Sequence, residues 1–432
     1  MAAAAFLRFT SRPPPVVSAQ HFLSPEIKFV LTPGKTRNIH PSNHPMSVTF
    51  LHTADWQLGK PYEYVEDSDK RTLLQQERFH VIERMAALVR DHRAEFVVVA
   101  GDLFDTPTVS KATVARACSL IGALGVPVYV IPGNHDHGGA GSIWEQDFFL
   151  REQQELARNL IVLREQAPLE LDKAVLFPCP LMRRHESVDT TSWLRDEAAL
   201  GAANHGKARI ILAHGSVTEF GSGAGDGDGH EAVNLLNLPS LPEAELDYIG
   251  LGDWHGCKKV GSKAWYSGTP ELDRFVKGEG NRPGHVLVVS AARGRAPDVL
   301  EVRTNRVGWR EAPFHFTGDA DLGAFEARMR ELLGTRTNQD VLRLELSGQL
   351  GMGGGVALEK ILESLRARVL HFAIKGGTTL APTEAELESL ARRAGDPLIA
   401  RVATQLASRI QAGGPDAEVS RVALCELHSF LQ

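Results

Sequence analysis

The chain has 432 residues, 43% of them hydrophobic and 23% charged, and a net charge of −6. That length suffices for two domains, each with its own core, and the composition is that of an ordinary soluble globular protein. The charge balance excludes a globally basic nucleic-acid binder, so any polyanion-binding surface must be a local patch.

In chain order, residues 1–45 stand apart: they are rich in Arg, Ser and Pro, with no acid before Glu26. That composition suits a transit peptide, or an extension that packs on nothing; the second reading is favoured, and 1–45 is expected to be disordered. Met46 then opens MSVTFLHTADW, a natural start. VTFLHTA is a short apolar run ending at Asp55, and Leu73, Leu74, Phe79, Ile82, Met85 and Val89 predict a helix over 70–93. FVVVAGD (96–102) reads as a fully buried strand, 113–124 as a helix, and VPVYVIPGN (126–134) as another buried strand. Further strands are expected at 160–163, 174–178, 209–214 and 248–253, and 286–290 with 299–305 reads as a hairpin. GSGAGDGDGH (221–230) lacks the spacing of a calcium loop and predicts a mobile loop. Past 310, helices over 319–333 and 357–368, strands over 341–348 and 371–375, and two more helices predict a smaller α/β unit. The expected organisation is an extension (1–45), a catalytic α/β domain (46–310) and a C-terminal domain (311–432).

No stretch approaches the roughly eighteen apolar residues of a membrane span. Cys118, Cys179, Cys257 and Cys425 are scattered, with no CxxC pair. They fit a reducing compartment, hence a cytoplasmic location, and argue against a structural zinc knot.

Five apolar strands end in side chains of metal-ligand type. These ends are Asp55 with Gln57, Asp102 with Asp105, Asn134-His135-Asp136, His214, and Asp253-Trp254-His255. In open α/β sheets ligands gather outside the carboxyl ends of strands. One such acid is commonplace as a cap or turn residue, and Asp105 is expected to bond backbone in its own turn. Five in series point instead to a pair of divalent ions sharing an anionic oxygen, a device that generates hydroxide and clamps phosphoryl oxygens. An aspartate preceded by glycine, as in AGDLFD, suits the shared position because backbone can approach closely there.

DWQ, GDLFD, GNHD, AHG and GDWH, in that order, resemble the five motifs of the calcineurin-like metallophosphoesterases. LHTADWQLG and YSGTPELDRF look most like the SbcD-type DNA-repair exonucleases, nuclease partners of an SMC-like ATPase. The resemblance implies a two-sheet α/β/β/α sandwich with a smaller C-terminal α/β capping domain. It makes Asp102 the bridging ligand, with Asp55, Gln57 and His255 on one metal and Asn134, His214 and Asp253 on the other. His135 becomes the general acid, held by Asp136. His52 either supports a ligand or is a satisfied core histidine. Two positions depart from the family pattern: DWQ stands for DxH, and GDWH for GHxH. Both retain an oxygen donor and together add one negative charge. Oxygen-rich sites favour Mn²⁺, with Mg²⁺ as the alternative, over Zn²⁺.

From Lys258 to Arg310 there are eleven Lys or Arg against five Asp or Glu. Lys258, Lys259 and Arg274 are therefore candidate substrate contacts. Trp254, Trp265, Tyr266 and Phe275 are interleaved, either to stack on bases or as core. The expected activity is a DNA exo- or endonuclease in repair, with hydrolysis of nucleotides or small phosphoesters as the alternative. Its expected partners are DNA and an SbcC-type SMC-like ATPase, and a homodimer is also compatible. Ile399, Val402, Leu406 and Ile410 form a helical stripe suited either to core packing or to an ATPase partner.

Overall fold

Short β-branched runs alternate with amphipathic helices, and packing gathers the runs into three principal sheets. The computed structural model describes residues 46–201, 206–217, 233–276, 278, 280–380, 382–392 and 396–430, all in one compact unit. The extension 1–45 and the expected loop at 221–230 lie outside the described residues. The first part runs β1 (Val48–Thr53), α1 (Ser68–His92), β2 (Phe96–Ala100), α2 (Lys111–Gly122), β3 (Val128–Ile131), α3 (Asp147–Leu156) and β4 (Leu160–Val162). Next come β5 (Leu169–Glu170), β6 (Ala174–Cys179), α4 (Glu197–Leu200), β7 (Ala208–His214), β8 (Ser216–Val217) and β9 (Leu235–Leu236). β10 (Tyr248–Gly252), β11 (Lys258–Lys259), β12 (Ala264–Tyr266), β13 (His285–Ala291) and β14 (Asp298–Arg303) follow. The C-terminal part is β15 (Gly308–Phe316), α5 (Leu322–Leu333), β16 (Asp340–Leu350), α6 (Met352–Arg368), β17 (His371–Gly376) and β18 (Thr379–Leu380). It closes with α7 (Glu384–Ala391), α8 (Pro397–Ala412) and α9 (Ala417–Phe430).

The first sheet has the order β14-β13-β1-β2-β3-β4, parallel from β1 to β4 with an antiparallel hairpin on its edge. The second runs β11-β12-β10-β7-β6-β5, parallel through its middle. Strand alternation explains how they stack. Phe50, Phe96 and Val98 face Leu176, Ile210, Leu212 and Tyr248 of the other sheet, while Leu51, Val97 and Val99 face α1, α2 and α3. Full burial of each such large side chain contributes about 1.5–3 kcal/mol. The far face of the second sheet is covered among the described residues by loops and one-turn helices carrying Leu194, Leu200, Leu241 and Leu246. This is the expected two-sheet α/β sandwich, with parallel strand ends of both sheets opening on one side.

Helix α1 starts where the Asp67 side chain accepts from the backbone N–H groups of Asp69 and Lys70, and stops at Arg93 in the left-handed region. Its Leu74 joins Tyr62 and Val65 in packing on Val307, Val341 and Leu370 of the C-terminal layer. There β15-β16-β17 is parallel, with β18 pairing the far end of β16, and α5 and α6 cover one face. β15 is a strand that the sequence pattern does not announce, and it straddles the expected boundary at 310/311. Its Pro313 reads as a strand breaker, yet β15 is an edge strand, where a missing N–H is tolerated. Helix α6 likewise begins at Met352, earlier than the expected 357, because Asp319 and Glu386 carboxylates accept the N–H groups of Gly351, Met352 and Gly353. Those acceptors at the positive helix end offset the poor helix propensity of GMGGG.

The stacking of the sheets tolerates no side chain at Gly252: a Cβ there would lie 1.9 Å from the Ala100 carbonyl oxygen and 2.8 Å from His214 Nδ1. Gly252→Ala is therefore expected to cost about 3 kcal/mol, read as a lowered urea midpoint at unchanged slope, whereas Gly294→Ala, open to solvent but at positive φ, should cost about 1 kcal/mol. A near-neutral Gly252→Ala would mean that the two strand ends are not in close contact.

Candidate metal centre

β1 and β2 end side by side, but their chains go on pairing. Asp55 N–H donates to the Gly101 carbonyl (3.1 Å), Gln57 N–H to Asp102 (2.9 Å), Leu58 N–H to Leu103 (2.9 Å) and Asp105 N–H to Leu58 (3.0 Å). This ladder holds Asp55, Gln57 and Asp102 at φ of 53°, 43° and 54°, and across the sheets Asp253 stands at 96°. Left-handed backbone at non-glycine residues costs roughly 1–3 kcal/mol each and turns side chains where a regular strand would not aim them. Gly101 makes room for the result, since a Cβ there would lie 2.1 Å from the His214 ring.

Oxygen and nitrogen donors of Asp55, Asp102 and His214 lie within 4.8 Å of one another, all buried. His214 Nε2 is 2.8 Å from Asn134 Oδ1, 3.6 Å from Asp102 Oδ1 and 3.9 Å from Asp253 Oδ1. Asp55 Oδ1 accepts the Asp253 N–H, while its Oδ2 is buried without a hydrogen-bond partner. A buried carboxylate oxygen lacking a donor, beside two more carboxylates, an amide oxygen and an imidazole, is a donor set that fits a divalent cation. Burial, opposed by the two site histidines, pushes the Asp55 carboxyl up to about 6. For His214 burial acts downward, but Asp102, Asp55 and Asp253 outweigh it and bring the ring to about 9. The hydrogen bonds agree: Nδ1 donates to the Ala100 carbonyl (2.8 Å) and Nε2 to Asn134 Oδ1, so both nitrogens carry protons.

His255 and Gln57 lie in different company. His255 Nδ1 is 3.2 Å from Asp273 Oδ1, and Gln57 Nε2 is 3.4 Å from His255 Nε2. Gln57 Oε1 accepts from Lys60 Nζ at 2.9 Å. Burial lowers the His255 pKa, but Asp273 more than offsets it and raises the ring to about 9. The Gln57 contact acts the other way, since it is a hydrogen bond only when Nε2 has a free lone pair. Burial would raise the Asp273 carboxyl, yet His255, Lys60 and Arg78 hold it well below the usual range.

His135 sits over Asp102: its N–H donates to Asp102 Oδ1 (2.9 Å) and its ring Nε2 is 4.0 Å from Asp102 Oδ2. Its Nδ1 donates to the Asp105 carbonyl at 2.7 Å. The ring is thus held by Asp105, not by Asp136 as anticipated. The buried Asp136 carboxylate instead accepts the N–H groups of Gly133 (2.8 Å) and Phe104 (3.0 Å), tying the two loops together. Nor does the Asp105 side chain bond backbone; it pairs with Lys60 at 3.4 Å. His52 is a core histidine, its Nδ1 2.8 Å from the Tyr248 hydroxyl between the sheets.

Two residues of the site are not singled out by the sequence reading, although Asp273 lies within YSGTPELDRF. Arg78, fully buried on α1, donates to the carbonyls of Asp55, Trp56 and Glu271 and to the hydroxyls of Tyr62 and Thr269. It sits between Leu74 and Ile82 on the apolar stripe, and a charge on a buried stripe is the signal that points to it. Asp273, which orients His255, has YSGTPELDRF around it as its signal, but nothing in that stretch ties it to His255. On the proposed substrate side, Lys258 and Lys259 form edge strand β11 beside Trp254 and Trp265, and Arg274 pairs with Asp273. Trp265 and Tyr266 are only 6% and 4% exposed and belong to the cores, so neither can stack on a base. Phe275 packs on Trp309 beneath Arg343, which leaves half-buried Trp254.

Residues 48–257, which carry all five strand-end groups but not Asp273, match the calcineurin-like phosphoesterase family. Over that segment the chain belongs to the calcineurin-like phosphoesterases. Among curated relatives, the SbcD component of the nuclease SbcCD of Bacillus subtilis (strain 168) is 27% identical over 285 residues, 58% of this chain and 68% of that protein. The DNA double-strand break repair protein Mre11 of Aeropyrum pernix is 25% identical over 272 residues, 59% of this chain and 61%, under two thirds, of that protein. Among solved structures, a Thermus thermophilus protein matches at 11% identity with TM-score 0.34, and a dimetal phosphatase from Danio rerio at 16% with TM-score 0.33. Each match covers 60% of this chain and 99% of the other.

A metal ligand must be deprotonated, so an ion held by His214 in this phosphoesterase site would take the place of its Nε2 proton. Mn²⁺ titration at pH 7 should release roughly one proton per ion, seen as a calorimetric heat that varies with the buffer's ionisation enthalpy. Affinity should rise with pH towards 9 as His214 gives up its proton, and should collapse below about 6 as Asp55 also becomes protonated. Buffer-independent heats would place the ion elsewhere.

Proposed function

We propose that this metallophosphoesterase is a divalent-metal phosphodiesterase acting on DNA, with Mn²⁺ or Mg²⁺ preferred to Zn²⁺. The observation that carries the reading is His135. Its Nδ1 is committed to the Asp105 carbonyl, so Nε2 alone can exchange a proton, and the side chain is 31% exposed beside the buried Asp102. That is the placement of a general acid serving a leaving oxygen. Bound metal would supply a hydroxide at neutral pH and charge to stabilise the phosphoryl oxygens. Asp55, Asp102, Asn134, His214 and Asp253 would hold it, Asp136 would keep the two loops in register, and His255, half-buried and oriented by Asp273, would flank it. Oxygen donors outnumber nitrogen in that set, which favours the harder ions.

DNA rather than a small phosphoester is supported by the names of the two curated relatives and by the lysines of β11, three and four residues beyond His255. Lys258, Lys259 and Arg274 would meet backbone phosphates, with Trp254 available for a base. The layer expected from residue 311 and built from Gly308 onward would cap the site. The Bacillus relative's name makes it one part of a complex, and the partner proposed here is an SMC-like ATPase. Leu398, Val402, Val419 and Val422, exposed on α8 and α9, offer it an apolar surface, while Leu406 and Ile410 of the same stripe pack inward.

Purified protein with Mn²⁺ should cleave end-labelled linear DNA, and Zn²⁺ alone should not support the full rate. His135→Ala should lower turnover by about 10²–10⁴-fold with metal content unchanged, and Asp102→Ala should abolish it. Turnover of bis-p-nitrophenyl phosphate without DNA cleavage would move the assignment to small diesters. Full activity of His135→Ala would remove the general-acid role.

A further inference from the structure

The two halves of the site are unequal in a way that bears on how many ions they take. Around Asp55, Asp102 and His214 a buried carboxylate oxygen lacks a partner. Around Gln57 and His255 no buried atom of Gln57, Lys60, His255 or Asp273 lacks a contact, and these four side chains form a ring. Lys60 Nζ donates to Gln57 Oε1 (2.9 Å), Gln57 Nε2 meets His255 Nε2 (3.4 Å), His255 Nδ1 meets Asp273 Oδ1 (3.2 Å), and Asp273 Oδ2 returns to Lys60 Nζ (3.2 Å).

Lys60 decides the orientation of the amide. An ammonium has only protons to offer, so the amide group facing it must be the carbonyl oxygen, and the NH₂ group must face His255. The lysine's three protons have three acceptors, since Asp105 Oδ1 lies 3.4 Å away. The one oxygen that Gln57 could give to a cation is thereby turned to an ammonium, and the glutamine presents N–H groups, which repel a cation, towards His255. Asp273, the carboxylate of this half, is 1% exposed at its side chain and already neutralised by Lys60 and Arg274.

We propose that the centre takes one divalent ion, held by Asp55, Asp102, Asn134, His214 and Asp253, and that the Lys60 circuit stands where a second ion would sit. The distances around His214 Nε2 suit a single ion: donors each about 2.1 Å from a Mn²⁺- or Mg²⁺-sized cation stand roughly 3 Å apart, close to the 2.8–3.9 Å found. Lys60 acts as a positioning residue. Its fixed charge compensates the carboxylates on that side, and it holds Gln57 and, through Asp273, His255 in place. This inference rests on the reading of the site as a metal centre and departs from a two-ion arrangement.

The test counts ions without relying on turnover. The full chain is dialysed against excess Mn²⁺, its bound metal is measured by mass spectrometry of the eluted element, and its paramagnetic resonance spectrum is recorded. One ion per chain with the six-line pattern of isolated Mn²⁺ is expected. Gln57→His combined with Lys60→Met, which restores an imidazole and removes the ammonium, should bind two ions and give an exchange-coupled spectrum. Two coupled ions in the unaltered chain would overturn the proposal, and that arm needs no variant to fold. A folded double variant that still binds one ion, judged by its circular dichroism, would overturn the part assigned to Lys60 and Gln57. A chain that binds no ion would sink the metal reading of the site and this inference with it, whereas one ion with no DNA cleavage would sink only the choice of substrate.

Discussion

Everything in the site depends on how closely β2, β7 and β10 approach at their carboxyl ends. There the His214 ring lies against Gly101 and the Gly252 backbone against the Ala100 carbonyl, with no room for a Cβ at either glycine. The two sheets therefore meet at contact distance where each delivers an acidic residue. Asp102 arrives from one sheet and Asp253 from the other, and Asp55 is pulled in by the N–H of Asp253. Like charges brought together out of water repel, and burial, with smaller contributions from Asp102 and Asp253, raises the Asp55 carboxyl against the pull of the two histidines. A fold that accepts such a cluster is stabilised by whatever cation the cluster attracts.

That repulsion and the left-handed backbone at Asp55, Gln57 and Asp102 are both held in check by neutral hydrogen bonding. The ladder between the two loops takes up the N–H groups, and Arg78 gathers carbonyls of Asp55 and Trp56 from below. Arg78 brings a positive charge close to the site, but its five donor contacts go to uncharged oxygens. Its removal would leave several buried acceptors unsatisfied as well as taking away that charge. The same economy of contacts appears at His135, where a backbone carbonyl does the orienting that a carboxylate was expected to do. A carbonyl fixes which nitrogen carries the proton without adding a further negative charge beside Asp102.

The parts of the fold that follow from local chemistry were legible. FVVVA and RIILA are apolar runs with consecutive β-branched residues at their centres, and they are buried strands, covered on both faces of a parallel sheet. The strand-end acids were legible as a set, since one polar residue closing an apolar run is an ordinary cap or turn, but five such ends in series are not. β15 was not, because its Pro313 is harmless only at a sheet edge, and edge position is a tertiary fact. Trp265 and Tyr266 read equally well as a base platform or as core. Only the stacking of Trp265 on Tyr248 and the bond from the Tyr266 hydroxyl to the Gly215 carbonyl place them inside. Asp273 was invisible as a partner of His255 because the chain runs through β11 and β12 before it returns eighteen residues later, and that return is a tertiary fact.

The glutamine at position 57 and the aspartate at position 253 make most sense taken together. A histidine at 57 has one lone pair when neutral and none when protonated; it could serve an ion, or accept from Lys60, but not accept from the lysine and donate to His255 in the same tautomer without surrendering its place as a ligand. An amide separates the two functions, with an oxygen for the ammonium and N–H groups turned towards His255. On the opposite side, Asp253 puts a full negative charge where an imidazole would bring none, and Ser216 steadies its other oxygen at 2.8 Å. Cation-attracting charge is thus withdrawn from one half of the site and added to the other. A centre arranged that way binds a single hard ion more firmly than a pair, because the second ion would have to displace an ammonium that already has three acceptors.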